Sequence, residues 1–365
     1  MILHLVTDEK FTDYAINQFS QLSIPSEFVL IPSNHETWIM KQTDRCTIIE
    51  QHSPKFDDLL KRLGEYTGVV FHGMFWSDWQ VPILKHIPSH VKVAWVFWGG
   101  EVYFRSDIKD TRYAPITKFV LRTRSLARPE KKVGFSYDLP YEVYQRIDYC
   151  LTDEYEEYEY AKNVLKSPQM KHLWYSYYDI NETLGSLKGE RCNGNNVIVG
   201  NSATIECNYF DVIPQLRRYL KKDQKVVLPL SYGSPWVKNA VTRYSKFWLG
   251  NDAMCLLEFM EREDYNRILQ SCSTMIMAHY NPQAQGNILT GLWLGMRVYL
   301  SERSIAYKFF KRLGFVVFSF ESEFKRYKYM PLSESEREMN RQVLIEWYSA
   351  EHVQEAASLV AKELG

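Results

Sequence analysis

The sequence lacks any run of about 18 apolar residues, and its start MILHLVTDEK lacks the basic and apolar segments of an export signal. We therefore expect neither a membrane-spanning helix nor secretion. The 44 Lys or Arg balance 44 Asp or Glu, for a formal net charge of +0, so overall charge does not favour nucleic acid as a partner. The six cysteines are scattered without a CxxC pair, which disfavours a zinc site or a disulfide framework and is typical of a reduced, cytosolic protein.

Several ligand-binding motifs are also missing. There is no GxGxxG dinucleotide fingerprint and no P-loop, which argues against dehydrogenases and P-loop kinases. No DxD pair suited to a divalent cation occurs. We therefore expect a site without a metal and without a bound organic cofactor.

Apolar, β-branched runs alternate with amphipathic helical patterns along the first 180 residues. Strands are predicted at Met1 to Val6, Glu27 to Ile31, Thr47 to Glu50, Gly68 to His72 and Val91 to Trp98. Helices are predicted between them, among them Phe56 to Leu63 and Ser77 to His86. Alternation at this spacing is typical of a parallel α/β sheet, so residues 1–180 are predicted to form one Rossmann-like domain.

Three polar side chains follow strands of this first domain. They are Asp8, His72 and Glu101, the last in the motif WGGEVY. A carboxylate or imidazole in such a position can deprotonate a hydroxyl group. Structural explanations compete: a hydrogen-bonded histidine for His72, and an acid at a helix N-terminus for Asp8 and Glu101.

The segment 105–132 is strongly basic in an otherwise neutral chain. It holds nine Lys or Arg against three acids, a local charge of +6, with apolar residues interleaved. Anionic lipid surfaces attract such segments, and arginines can also bind a diphosphate. The candidate residues for the membrane or for an acceptor diphosphate are Arg105, Arg112, Arg122, Arg124 and Arg128. A solvated basic helix is the alternative.

Three apolar runs of the second half end in small and polar residues. Val197 to Val199 precedes Asn201 and Ser202, Val226 to Leu230 precedes Tyr232 and Gly233, and Met275 to Ala278 precedes Gln285, Gly286 and Asn287, where a helix begins. Ligands of open parallel sheets lie beyond the carboxyl ends of the strands, and helix N-termini favour phosphate. The three loops together indicate a site for a phosphorylated ligand, although Gly and Asn also occur in ordinary turns.

The same periodicity predicts the domain organisation. A polar stretch, Asp179 to Asn196, reads as a linker, residues 190–332 as a second Rossmann-like domain, and residues 333–365 as a long helix that packs back onto the first domain. A further strand is predicted at Phe247 to Gly250. Two Rossmann-like domains facing each other across a cleft form the α/β architecture called GT-B.

Three stretches of the sequence, in order over about 200 residues, resemble a known family. They are KVAWVFWGGEVY at 92–103, VIVGNSATIECNY at 197–209 and YNRILQSCSTMIMAHYNPQAQGNILTGLWLG at 265–295. The chain is similar there to the TDP-Fuc4NAc:lipid II Fuc4NAc transferases, often described as 4-alpha-L-fucosyltransferases of enterobacterial common antigen assembly. Glu101 stands where that family usually has Asp, and the turn NPQAQGN reads differently, which favours a different surface polysaccharide.

The resemblance implies a metal-independent glycosyltransferase of the GT-B type. It would move a deoxyamino sugar from a TDP-sugar, bound by the second domain, to a lipid-linked saccharide at the cytoplasmic face of the membrane, where the protein would be peripheral. Two other functions fit the same architecture: a non-hydrolysing nucleotide-sugar epimerase, and a catalytically silent protein that binds a nucleotide-sugar or glycan.

Overall fold

The computed structural model describes residues 1–32, 40–108, 111–127 and 138–365. The chain forms two compact units. The first comprises Met1–Ile108, Phe135–Asp179 and Tyr348–Gly365, and the second comprises Lys109–Gly134 and Ile180–Trp347. Across the described residues, none of the helices combines the length and the apolar character needed to cross a membrane.

The first unit contains a parallel sheet that has seven strands in the described ranges, in the order β3-β2-β1-β4-β5-β6-β7. The strands are β1 (Ile2–Val6), β2 (Ser26–Leu30), β3 (Thr47–Ile48), β4 (Gly68–His72), β5 (Lys92–Val96), β6 (Tyr149–Leu151) and β7 (Lys171–Leu173). The helices are α1 (Thr12–Ser20), α2 (Pro54–Arg62), α3 (Ser77–His86), α4 (Gly100–Tyr103), α6 (Tyr141–Tyr144), α7 (Tyr155–Val164) and α16 (Ala350–Leu364).

Both faces of this sheet are buried, which explains why its strands read as nearly continuous apolar runs. Side chains of successive strand residues point to opposite faces, so Leu3 and Leu5 join one core cluster while Ile2 and Val6 join another. Helix α16 covers the second face together with α1. Its fit is close: a Cβ atom added to Gly68, at the start of β4, would lie 2.6 Å from Cβ of Leu364.

The second unit contains a parallel sheet with six strands in the part of the chain described, in the order β10-β9-β8-β11-β12-β13. The strands are β8 (Asn196–Val199), β9 (Val226–Pro229), β10 (Ala253–Leu256), β11 (Cys272–Met277), β12 (Arg297–Leu300) and β13 (Phe318–Ser319). The helices are α5 (Pro115–Ala127), α8 (Ile180–Leu184), α9 (Tyr209–Leu216), α10 (Pro235–Leu249), α11 (Arg262–Gln270), α12 (Gln285–Leu294), α13 (Ile305–Arg312), α14 (Phe324–Tyr327) and α15 (Glu334–Tyr348).

The α/β class and the two parallel sheets agree with the sequence analysis, but the unit boundaries differ. The basic segment was assigned to a first domain of residues 1–180, whereas Lys109–Gly134 belongs to the second unit. The reason is local: the Asp211 carboxylate accepts hydrogen bonds from the backbone N–H groups of Ile116 and Thr117, both at 2.8 Å, and thereby caps α5 against α9.

Three element predictions also need correction. Phe247–Gly250 was predicted as a strand, but Phe247 to Leu249 form the last turn of α10. Asp179 to Asn196 was read as a linker, but it contains α8. The single helix predicted at 333–365 is two helices, because Ser349 adopts an extended backbone and its hydroxyl accepts a hydrogen bond from the N–H of His352, 3.2 Å away, which caps α16.

Candidate functional site

The first predicted loop of the second unit turns sharply after β8. Gly200 has a φ of +64°, and a Cβ atom there would lie 2.4 Å from the hydroxyl oxygen of Tyr209. That hydroxyl donates to the carbonyl oxygen of Ser202 at 2.8 Å. A glycine at position 200 is thus required for the turn that presents Asn201 and Ser202 at the carboxyl end of the strand.

The second predicted loop lies directly against the first. Ala203 and Gly233 form a parallel β-bridge, with the N–H of Ala203 donating to the carbonyl oxygen of Tyr232 at 2.7 Å. The side-chain amide of Asn201 also donates to the Tyr232 hydroxyl at 3.2 Å. Tyr232 is 57% exposed, so its ring forms an accessible wall beside Asn201.

The third loop reaches the same place through a residue that the sequence analysis did not single out. His279 follows β11, and its Nε2 atom lies 3.2 Å from Oδ1 of Asn201 and 3.3 Å from Sγ of Cys207. Three loops that follow β8, β9 and β11 therefore meet at one edge of the second sheet.

Cys207 and His279 form a buried pair beneath Asn201. Burial raises the pKa of the Cys207 thiol, but the charge of His279 and hydrogen bonds from His279, Thr204 and the backbone of Asn201 outweigh burial and lower that pKa to about 6. A thiol of lowered pKa and an imidazole under the loops make this edge of the sheet polar.

Helix α12 provides backbone donors at the same edge. It begins at Gln285, after Ala284 in the left-handed conformation with a φ of +61°. Gln285, Gly286 and Asn287 thus form its first turn, and the N–H groups of a helix's first turn point out of its N-terminal end. Such groups favour an anionic ligand.

In the first unit, the structure places Glu101 in a fully enclosed position. Its carboxylate accepts hydrogen bonds from the backbone N–H of Met74 at 3.1 Å, from Nε1 of Trp95 at 3.2 Å and from the N–H of Trp98 at 3.3 Å. Burial raises the pKa of Glu101 to about 7, although these hydrogen bonds oppose the shift. The carboxylate therefore joins the loops that follow β4 and β5.

The other two candidate bases are buried as well. His72 lies with Nε2 3.1 Å from Nδ1 of His4 and with Nδ1 2.9 Å from the Tyr177 hydroxyl, and burial lowers its pKa to about 3. Asp8 follows β1, and its Oδ1 atom accepts from the N–H of Met40 at 3.0 Å. Both side chains are thus held by hydrogen bonds within the first unit, and their role as a base stays a prediction.

The arginines of the basic segment divide into distinct groups. Arg105 lies in the first unit and forms a bidentate ion pair with Asp107, at 2.9 and 2.6 Å. Arg112 pairs with Glu206 at 3.4 Å, and Arg124 lies over the ring of Trp236, 4.3 Å from its centroid. Arg122 is exposed and lines a cavity with Lys118. Arg128 lies outside the described residues.

Within the described ranges, no group of three or more His, Cys, Asp or Glu side chains is placed to hold a metal ion. Metal independence itself stays a prediction.

No family model matches the chain, and no curated protein matches its sequence. Solved structures do match its fold. A glycosyltransferase from Rickettsia africae has a TM-score of 0.65 at 12% identity, with 100% of this chain and 98% of that chain covered. The lipopolysaccharide outer core galactosyltransferase WaaB has a TM-score of 0.58 at 9% identity, with 99% and 100% covered. This is the GT-B fold.

A further GT-B neighbour was solved with ligands. The Anabaena protein Alr3699/HepE, in complex with UDP and glucose, has a TM-score of 0.54 at 10% identity, with 99% of this chain and 94% of that chain covered. Likeness at these identities establishes the GT-B fold alone, so function has to be argued from the residues of this chain.

Three residues at the site were missed by the sequence analysis. His279 could have been found, because it is a polar residue directly behind an apolar strand. Cys207 gave no signal among scattered cysteines. Asn208 was also missed: it adopts a φ of +53°, and its side chain accepts from the N–H of Ala114 and donates to the carbonyl oxygen of Ala278, both at 2.8 Å.

Proposed function

We propose that the protein is a glycosyltransferase that moves a sugar from a nucleotide-sugar to a lipid-linked saccharide. The observation that carries this proposal is the meeting of three strand-end loops at one edge of the second sheet, through Asn201, Tyr232 and His279, in a chain with the GT-B fold. The family resemblance adds the finer proposal of a TDP-linked deoxyamino sugar, such as Fuc4NAc, as donor.

In this proposal, the second unit binds the donor. The ring of Tyr232 is accessible to a nucleotide base or sugar, and the amide of Asn201 and the hydroxyl of Ser202 supply polar contacts. The first turn of α12, formed by Gln285, Gly286 and Asn287, would face the diphosphate. Fixed N–H dipoles stabilise the negative charge that develops on the leaving diphosphate, so the step does not require a metal.

The acceptor hydroxyl must lose a proton as the glycosidic bond forms. Glu101 is our first candidate for the base, because its pKa of about 7 suits proton transfer near neutral pH. Since its carboxylate is enclosed, this role requires the loops that follow β4 and β5 to open to the acceptor. His72 and Asp8 are the alternatives. Separate Glu101→Gln, His72→Gln and Asp8→Asn variants decide among them: loss of turnover with unchanged donor binding identifies the base, and unchanged turnover removes a residue from the role.

The lipid-linked acceptor places the reaction at a membrane. We propose that the protein is peripheral on its cytoplasmic face, held by the basic segment, since exposed cations attract anionic lipids. Arg122 is the arginine among the predicted set that is exposed in the described residues and lines a cavity.

The first experiment is a thermal-shift series with TDP, UDP and GDP, with and without magnesium. We expect a selective shift by TDP that does not depend on magnesium. The variant Asn201→Ala should lose the shift, whereas Asn195→Ala, the same change just before the other end of β8, should keep it. A wild-type protein that none of the three nucleotides shifts contradicts the donor site.

Product analysis then separates the functions. A transferase forms product only when lipid extract is present, whereas an epimerase changes the donor without any acceptor. A protein that binds TDP but converts the donor neither with nor without lipid extract is a binding protein. In that case the transferase proposal fails.

A further inference from the structure

The cavity that Arg122 and Lys118 line in the second unit is lined by cations and not by carboxylates. Its volume is about 350 Å³. The lining residues are Tyr113, Pro115, Lys118, Phe119, Arg122 and Arg303. Lys118 and Arg122 come from α5, whereas Arg303 follows β12, so two distant parts of the sequence bring three positive charges to one cavity.

Of these three cations, Arg303 has a carboxylate close enough to feel its charge, that of Glu302, which also accepts from the hydroxyls of Ser319 and Ser322. Within the residues that the structure describes, none of the three cations forms an ion pair, and the Arg303 guanidinium lies 5.3 Å from the ring centroid of Tyr280. The nearby carboxylates have other partners: Asp211 caps α5, and Glu321 accepts from the Ser301 hydroxyl and from the N–H of Glu302. Three cations around one cavity are complementary to a polyanionic group.

The outer face of α5 continues the cavity as an apolar surface. Phe119 is 65% exposed and Leu126 is 83% exposed. The two lie about two turns apart on one helix face, with Lys118 and Arg122 along one side of it. Apolar side chains flanked by cations are typical of a helix that contacts lipid chains below phosphate groups.

The cavity is connected to the proposed donor loops within the same unit. The side chain of Asn208 joins the backbone of Ala114, just before α5, to that of Ala278, just before His279. The next residue, Tyr280, contacts Arg303. The cavity is thus linked to the loop that carries His279.

We propose that this cavity binds the diphosphate of a lipid-linked acceptor, with the attached apolar chain lying across Phe119 and Leu126. The inference rests on the proposed function and assigns the acceptor's diphosphate to the second unit, to which Lys109–Gly134 belongs, and not to the first unit. A single diphosphate explains a cavity with converging cations, whereas attraction to a bulk phospholipid surface requires only an exposed basic patch.

The test measures binding of farnesyl diphosphate, a short prenyl diphosphate, beside inorganic pyrophosphate and phosphatidylglycerol vesicles. The double variant Lys118→Gln/Arg303→Gln should bind farnesyl diphosphate about a hundredfold more weakly or worse, since each lost charged contact costs roughly tenfold or more in affinity and two are removed. Phe119→Ala should weaken farnesyl diphosphate binding but leave pyrophosphate binding unchanged. Arg122→Gln serves as a second test if the double variant does not fold.

The matched control is Arg243→Gln/Lys246→Gln, which removes two exposed cations from α10 of the same unit and should leave both affinities unchanged. Equal binding of farnesyl diphosphate to wild type and to the double variant overturns the proposal. The proposal is also overturned if the double variant loses only its binding to phosphatidylglycerol vesicles. That result would mean that the cations bind the membrane surface. Conversion of a dimer to a monomer by Phe119→Ala, without a change in farnesyl diphosphate binding, would assign the apolar face to a second copy.

Nucleotide binding distinguishes this failure from failure of the proposed function. The double variant should keep the TDP shift of the wild type. If TDP binds and farnesyl diphosphate does not, this inference alone fails, whereas a wild type that binds neither contradicts both proposals.

Discussion

The Sγ atom of Cys207 lies 3.3 Å from Nε2 of His279, and the same imidazole nitrogen lies 3.2 Å from Oδ1 of Asn201. A thiol held at an imidazole behaves as an acid of low pKa, even where burial opposes ionisation. The pair thus places a thiol of lowered pKa beneath the loop of Asn201. This arrangement gives the pH dependence of stability a definite sign.

Cys207→Ser should therefore be compared with wild type as a function of pH. The pKa of Cys207 is lowered from 9.0 to about 6, so the stabilisation by the thiolate is complete above pH 9.0 and is lost as the pH falls to 6. As the pH rises from 6 to 9.0, the free energy of unfolding of the wild type should increase relative to that of the variant by up to about 1.4 kcal/mol per pH unit. The difference in melting temperature between the two proteins should grow accordingly.

Cys272→Ser is the matched control. Cys272 is also buried in the second unit, but burial raises its pKa to about 12, so it stays protonated in this interval. The difference in melting temperature between Cys272→Ser and wild type should then be independent of pH from 6 to 9.0. A constant difference for Cys207→Ser as well would show that Cys207 is not ionised.

Gly233→Ala should destroy nucleotide binding. Gly233 has a φ of +112°, and an added Cβ atom would lie 2.7 Å from the backbone carbonyl of Ala203, so the bridge between the first two loops would have to open. Gly250→Ala imposes the same kind of left-handed strain, at a φ of +59°, but its Cβ atom would meet nothing within 4 Å.

The comparison of the two glycine variants separates the effect of a positive φ, which both share, from the steric clash with Ala203, which only Gly233→Ala creates. Both should lose about 1–2 kcal/mol because an L-residue is forced into a positive φ. Only Gly233→Ala should also lose the TDP-induced thermal shift. If both variants keep the shift, the bridge is not needed for the donor site.

Arg122→Gln and Arg124→Gln should have opposite consequences although the residues are two positions apart. Arg122 lines the basic cavity, so its loss should weaken farnesyl diphosphate binding about tenfold with little change in melting temperature. Arg124 lies over Trp236, so its loss should cost about 0.5–2 kcal/mol of stability. Titration with farnesyl diphosphate and thermal melting of the two variants check this. If both variants show the same affinity and the same melting temperature, Arg122 and Arg124 do not have the different roles assigned to them.

The contribution of Glu101 to stability should change with pH in the direction opposite to that expected for Cys207, and Glu101→Gln tests this. The pKa of Glu101 is raised from 4.5 to about 7, so the folded protein binds more protons than the unfolded chain in this interval and loses stability as the pH rises through it. The melting temperature of the variant, relative to wild type, should rise from pH 4.5 to 7 and then stay constant. The exposed Glu258→Gln, measured in parallel, shows the effect of removing a surface carboxylate.

The sequence predicted the buried parallel strands well, because β4 and β8 are β-branched runs that need no tertiary information to be recognised. It misread Phe247 to Leu249, where aromatic residues outside the core continue a helix that begins at Pro235. The unit to which α5 belongs depends on the Asp211 cap, a contact across about 95 residues of sequence that no local pattern contains.

The candidate site shows the same limit. Asn201 and Tyr232 could be predicted because both follow strands, and parallel strands present their carboxyl ends at one edge. Cys207 could not, because its significance depends on His279, which is 72 positions away. The role of Arg124 depended equally on a neighbour distant in the sequence, Trp236.

The position of α16 bears on the order in which the protein folds during synthesis. Helix α16 completes the core of the first unit, with Leu364 seated on Gly68, although almost 300 residues separate them in the chain. A ribosome that has made residues 1–347 has therefore synthesised every segment of the second unit but not the last segment of the first, Tyr348–Gly365. Domains generally fold as units during translation. The first unit is thus completed after the second, and until α16 docks, one apolar face of its sheet is left uncovered by that helix.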